Sequence, residues 1–216
     1  MAGLVTAIIR ALGIPVRNIT CYDAGYDMDN TLTIDTYTDH RSKYPSYNPD
    51  FVWNFHVWCD IWLNRPDLPV GYDGWNCIDG CPVITRSGIQ QCGPAPLKAI
   101  KNGDAFIQHD TGYMYACVNA DVADWWVRQD KLGNVRILGL MSRDRNQVGS
   151  SIVTKHPTGR GKHDITSDYK HPSGSKEDEA AWEKALSFVG LNDQRNRTKM
   201  QKELLEQKKS DVSIGT

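Results

Sequence analysis

The chain has 216 residues, 25 basic against 26 acidic side chains, a formal charge of −1, and 40% hydrophobic residues. That apolar content is too high for a disordered tail, and no apolar run reaches the roughly 18 residues of a membrane span. A near-neutral chain supplies no field to draw in nucleic acid or anionic lipid, so neither is expected as a partner.

Six cysteines (Cys21, Cys59, Cys77, Cys81, Cys92 and Cys117) are scattered without a CxxC pair. They are too sparse for a disulfide scaffold and lack the paired spacing of a zinc site, so they read as reduced thiols of a cytoplasmic protein. Ala2–Ile14 is apolar, but Arg10 interrupts it and no cleavage site follows, so no secretory signal is read.

In chain order, Leu4, Val5, Ile8, Ile9, Ala11 and Leu12 recur at helical spacing and predict a buried amphipathic helix, stopped by Gly13 and Pro15. No capping side chain precedes it, which reads as a truncated start with an apolar patch left exposed. Val16–Cys21 predicts a strand and Asp27–Asp50 a polar excursion. Trp53–Leu63 alternates strictly: the odd positions Trp53, Phe55, Val57, Cys59, Ile61 and Leu63 share one face, and Asn54, His56, Trp58, Asp60 and Trp62 the other. Arg65–Pro69 is turn chemistry and Gly74–Asp79 the returning strand. Tyr113–Asn119, Val135–Leu140 and Ser150–Thr154 read as further strands. From Lys176 to Lys209 the pattern becomes helical and highly charged, as in a solvated helix running into a linker.

A hairpin turning about Asp67–Leu68 places positions whose numbers add to 135 opposite each other, and His56 and Asp79 are such a pair. Their Cβ atoms would lie about 4.5–5.5 Å apart. A carboxylate there can accept the imidazole Nδ1–H and leave Nε2 free as a base. A slip of one residue would put the two on opposite faces. Spacing alone leaves a second reading open, in which His56 is an ordinary core or edge residue.

The words Arg10-Ala-Leu-Gly-Ile-Pro15, Trp53-Asn-Phe-His-Val-Trp58, Arg65-Pro-Asp-Leu-Pro-Val-Gly-Tyr-Asp-Gly-Trp75, Cys92-Gly-Pro94, Ala99-Ile-Lys101, Val118-Asn-Ala-Asp121 and Asp164-Ile-Thr run in one order from residue 2 to about residue 180. In them the chain resembles the transglutaminases, calcium-dependent enzymes that crosslink proteins through glutamine. The resemblance implies an α+β, papain-like core, with a buried helix packed on an antiparallel sheet. Residues 1–190 would be part of the catalytic core, and 191–216 a charged helix or linker toward C-terminal β-barrels that are not in the chain. It implies His56 as general acid/base, Asp79 as the group orienting it, and Trp53 as a wall of the substrate tunnel. A Cys thiolate would attack a protein Gln, release ammonia, and pass the acyl group to a Lys or polyamine amine as an isopeptide. The family's Cys-Trp word falls before Met1, so none of the six cysteines takes that place and the chain alone is expected to be inactive. After Asp79 the family word is also altered, to Gly80-Cys81-Pro82-Val83.

Asp27–Asp35 is rich in oxygen ligands, but Leu32 stands where an EF-hand needs Gly. An acidic turn with Asx hydrogen bonds is the plain alternative. The resemblance implies calcium held by Asp27, Asp29, Thr31 (with Asn30 as its substitute), the Thr33 carbonyl and Asp50. A second calcium is implied at Asn119, Asp121, Ser173 and Asp178, weakened because Ser173 and Asp178 replace Glu. The other readings are a non-catalytic transglutaminase-like scaffold and a papain-like hydrolase; the latter leaves the calcium loop unexplained. Implied partners are proteins with reactive Gln and Lys and small primary amines. The expected compartment is the cytoplasm, with unconventional release outside the cell.

Overall fold

Phe51–Leu63 is an inner strand of the main sheet; its Trp58–Ile61 stretch is buried on both faces, while Phe51, Trp53, Phe55 and Trp62 stay exposed. A computed structural model describes residues 1–39, 50–81, 83–84, 90–130 and 135–189. In chain order these form α1 (Ala2–Ala11), β1 (Val16–Tyr26), β2 (Thr33–Asp39), β3 (Phe51–Leu63), β4 (Gly74–Ile78), β5 (Val83–Ile84), β6 (Gln90–Gln91), β7 (Ala95–Pro96), α2 (Leu97–Lys101) and α3 (Thr111–Asn119). They continue through β8 (Asp121–Gln129), β9 (Val135–Asp144), β10 (Ser151–Lys155), β11 (Lys162–Asp164), α4 (Thr166–Tyr169) and α5 (Lys176–Phe188). The main sheet runs β11-β10-β1-β3-β4-β7, and a smaller one runs β2-β8-β9 with β2 parallel to β8. The architecture is α+β. No helix among the described residues is long and apolar enough to cross a membrane.

The even positions of β3 face α3. Trp58 joins Ile19, Cys21 and Cys77 of the sheet against Tyr113, Met114, Cys117 and Val118 of the helix. The odd positions Cys59 and Ile61, with Val16, carry α1 through Ala2, Val5 and Ile9. Helix α1 ends as its sequence predicts: Gly13 is left-handed (φ 76°), its N–H bonds the Arg10 carbonyl, and the Ile14 N–H bonds that of Ile9. Its expected burial is only half realised, since Leu4, Ile8 and Leu12 are 58%, 53% and 68% exposed on its outer side.

Two local readings are overturned. Tyr113–Asn119 is helix α3, buried nearly all round; a continuous apolar run gives no period by which to tell strand from helix. The excursion 27–50 contains β2, whose Thr33 and Asp35 are buried beside Ile34 and Tyr37, so its polar residues hid a core strand. The expected strand Val135–Leu140 extends to Asp144 in β9. The charged helix is described as far as Val189, and the linker 191–216 lies outside the described residues.

Candidate active site

His56 and Asp79 do meet, by a different register and through a different nitrogen from those expected. Strand β3 pairs with β4 as Cys59↔Ile78, Asp60↔Cys77 and Leu63↔Gly74, so facing numbers add to 137. The connection is therefore not a tight turn at Asp67–Leu68. Arg65 anchors the segment between the strands: its N–H donates to Asp73 (2.6 Å), and its guanidinium donates to Asn76 (2.5 Å), the Pro94 carbonyl (2.8 Å) and Asp67. Continued one step past Ile78, the ladder would set Asp79 opposite Trp58, with His56 two residues further along the same face. An even displacement preserves the face. The imidazole then reaches diagonally, a separation long side chains can bridge.

His56 Nε2 lies 2.6 Å from Asp79 Oδ2, so Nδ1 is the nitrogen left for chemistry. The same Oδ2 accepts the Tyr113 hydroxyl at 2.6 Å, and Oδ1 accepts the Cys81 N–H at 2.8 Å. Asp79 is 2% exposed, while its own N–H donates to the Cys92 carbonyl. Burial and the neighbouring Cys117 and Asp79 push the Tyr113 hydroxyl far above its ordinary range, so it serves as a fixed donor. Sequence reasoning missed Tyr113 because it assigned that segment to a strand. The Trp53 ring lies parallel to His56 with centroids 6.1 Å apart, and Tyr26 and Phe51 pack against it. Below His56, the Trp58 indole N–H donates to the Tyr169 hydroxyl, which donates to Asp60 (2.5 Å), itself paired with Arg17.

The starting end of α1 adjoins this pair: a side chain on Gly80 would meet Val5 and Met1. A helix N-terminus favours negative charge. Four of the cysteines (Cys21, Cys59, Cys77 and Cys117) are buried, and burial raises each thiol, Cys21 to about 12. Groups so placed are poor thiolates. Cys81 is exposed next to Asp79, and Cys92 is half-buried.

The acidic loop brings three carboxylates together. Ligand oxygens of Asp27, Asp29 and Asp50 all lie within 4.8 Å of one another. Asp27 accepts the amides of Asp29, Thr31 and Leu32, while Asp50 accepts those of Met28 and Asp35. The Thr31 hydroxyl lies 3.1 Å from Asp29 and 3.2 Å from the Thr33 carbonyl. Burial, then the charges of Asp29 and Asp50, push the Asp27 carboxyl well above the usual carboxylate range. A positive ion among these oxygens would relieve that repulsion, and an all-oxygen donor set suits a hard cation. Leu32 is left-handed (φ 59°), so the loop does make a sharp turn there, held by the bond to Asp27 rather than by glycine. Asp35, given no role from the sequence, is buried beside Thr31 and Thr33 and accepts the Trp125 indole N–H.

In the second set, the acids are already engaged by arginines and an indole. Asp121 accepts the Trp182 indole N–H (2.8 Å) and lies 2.8 Å from Arg143 Nε. Asn119 donates to the Tyr115 hydroxyl and Ser173 to Asn146. Asp178 accepts the Gly174 amide in the cap of α5 and lies 3.5 Å from Arg145.

Residues 1–79 match the Transglutaminase-like superfamily. The chain is 40% identical over 203 residues to human protein-glutamine gamma-glutamyltransferase 4, covering 94% of this chain and 29% of that protein. It is 43% identical over 187 residues to the rat protein-glutamine gamma-glutamyltransferase K, covering 86% and 22%. The crystal structure of red sea bream transglutaminase superposes with a TM-score of 0.69 at 33% identity, covering 85% of this chain and 27% of that one. The chain thus spans less than a third of the length of each of these relatives.

Proposed function

We propose, for a chain that belongs to the transglutaminase-like superfamily, that it carries the His/Asp part of a calcium-dependent protein-glutamine γ-glutamyltransferase. The observation that carries this reading is the Asp79-held imidazole, with Nε2 engaged, Nδ1 free, Trp53 alongside and the start of α1 next to it.

In this reading a Cys thiolate, supplied beside the start of α1 by residues outside these 216, forms an ion pair with His56. The sulfur attacks the Gln carboxamide carbon, and His56 gives its Nδ1 proton to the departing ammonia, leaving a thioester. A Lys or polyamine amine then loses a proton to His56 Nδ1 as its nitrogen attacks the thioester, forming an isopeptide and freeing the thiolate. Asp79 holds the Nε2–H tautomer of the neutral ring at the thioester stage and stabilises the imidazolium of the thiolate ion pair that precedes the first step and is restored by the second. Tyr113 keeps the Asp79 carboxylate from turning away. Trp53 excludes water, favouring an amine over hydrolysis. Asp27, Asp29, Asp50, Thr31 and the Thr33 carbonyl would hold calcium, which supplies charge neutralisation that rigidifies the loop. Substrates would be proteins with reactive Gln and Lys, and small amines.

The longest translated product containing these residues should incorporate a fluorescent primary amine into a Gln-rich acceptor when calcium is present. His56→Ala should reduce this by roughly 10²–10⁴-fold. Incorporation unaffected by that substitution would sink the assignment, and a folded product with no incorporation would favour the scaffold reading.

A further inference from the structure

The family resemblance implies a second calcium at Asn119, Asp121, Ser173 and Asp178, yet this locus already contains positive charge. Asp121 is 1% exposed, with Arg143 Nε 2.8 Å from one oxygen and the Trp182 indole donating to the other. Arg145 reaches three acids: Nη1 is 2.7 Å from Glu179, Nη2 is 3.5 Å from Asp178, and Nε is 3.9 Å from Asp121. The Trp182 ring takes both guanidinium groups, with Arg145 at 4.3 Å and Arg143 at 5.1 Å from its centroid. A planar guanidinium suits this role because it stacks on an indole while its edge donates to carboxylates.

The remaining oxygens are directed elsewhere. Asn119 donates to Tyr115, Ser173 to Asn146, and Asp178 closes the first turn of α5 by accepting Gly174 N–H while its own N–H donates to Ser175. Among the described residues, three or more His, Cys, Asp or Glu ligand atoms come together only at Asp27, Asp29 and Asp50. A divalent ion entering the second locus would have to displace a guanidinium from its acid partners or sit against it.

We propose that Arg145, supported by Arg143 and Trp182, is the resident cation of this second locus and closes it to calcium, so that α5 is held on β8 and β9 by internal ion pairs. Combined with the proposed function, on which this clause rests, calcium control among the described residues then runs through the Asp27–Asp29–Asp50 loop.

The test is calcium titration calorimetry on the 216-residue chain, with thermal unfolding in calcium and in chelator as a second readout. In Asp27→Asn/Asp29→Asn, calcium should give neither heat nor a shift in Tm. Adding Arg143→Gln/Arg145→Gln to that background should create a calcium-dependent heat or a rise in Tm. Two results would overturn the proposal: a calcium event that persists in Asp27→Asn/Asp29→Asn and vanishes on adding Asp178→Asn, or no calcium event in the folded variant that also carries Arg143→Gln/Arg145→Gln. Absence of any calcium event in the unaltered chain would refute the loop reading while leaving this proposal to its own variants, so the two failures are distinguishable.

Discussion

Tyr113→Phe removes one oxygen from the site and leaves the ring in place. The carboxylate it serves is 2% exposed and receives three donors: Tyr113 and His56 on Oδ2, both at 2.6 Å, and the Cys81 N–H on Oδ1 at 2.8 Å. A hydrogen bond to a charged acceptor contributes about 1.5–3 kcal/mol, against about 0.5–1.5 kcal/mol for a neutral pair. Tyr113 is 3% exposed, so the ring stays packed and the substitution isolates the hydroxyl. Folding stability should therefore fall by about 1.5–3 kcal/mol, roughly a 10- to 150-fold change in the folding equilibrium. Tyr115→Phe is the control, because its hydroxyl accepts a neutral bond from Asn119 at 3.1 Å. Denaturant unfolding followed by tryptophan fluorescence measures both. Since Tyr113 and His56 share one oxygen, Tyr113→Phe with His56→Ala should also deviate from additivity by about 0.5–3 kcal/mol. A Tyr113→Phe loss no larger than that of Tyr115→Phe, together with additive behaviour, would refute the shared-carboxylate account.

Two further predictions concern the scaffold. Hydrogen bonds from Arg65 hold the exposed Asp67 carboxyl down at about 2. A depressed acid contributes its stability above its ordinary value, near 3.9, and loses it as pH falls through about 2. Arg65→Lys keeps the charge but not the fork, so the Asp67 midpoint read by carbon NMR should rise toward the ordinary range; a midpoint that stays near 2 would count against the bidentate contact. Gly103 is left-handed (φ 70°), and a Cβ there would meet the Ala181 carbonyl at 1.9 Å, so Gly103→Ala should destabilise the packing of α5 by about 1–3 kcal/mol. Gly3→Ala faces open space inside α1 and should instead add about 0.5–1 kcal/mol, so equal Tm changes in the two variants would contradict this reading.

The strand carrying His56 was legible because its sequence alternation is strict, even though only Trp58–Ile61 is buried on both faces. The pair survived a register error because the displacement was even: parity is set by the pleat, while the ladder offset is set by a loop anchored on Arg65 and Asp73. Neither contact has a local sequence signal. The choice of nitrogen was also beyond the sequence, since it depends on a diagonal reach rather than a direct facing. Tyr113 was hidden by a lack of period in Tyr113–Val118, which is buried on all sides. The acidic loop was readable because its oxygen-bearing residues are nearly contiguous; Asp50 was placed only through the family words.

At the second locus, ligand spacing counts oxygens and says nothing of which cation neutralises them. Asn119, Asp121, Ser173 and Asp178 are spaced as a resemblance requires, yet the positive charge arrives from the end of β9. A usable signal did exist. Arg143 and Arg145 are two residues apart, and residues so spaced on a strand project to one side. Had the extended segment been carried past Leu140 to Arg145, one residue beyond β9, two guanidinium groups would have been set on one side, toward whatever acids lay beside β8. The proposed charge replacement would leave the acidic positions in place while removing the reason to bind metal, so the presence of family ligands in a sequence is evidence for a cation site only once the nearby arginines have been placed.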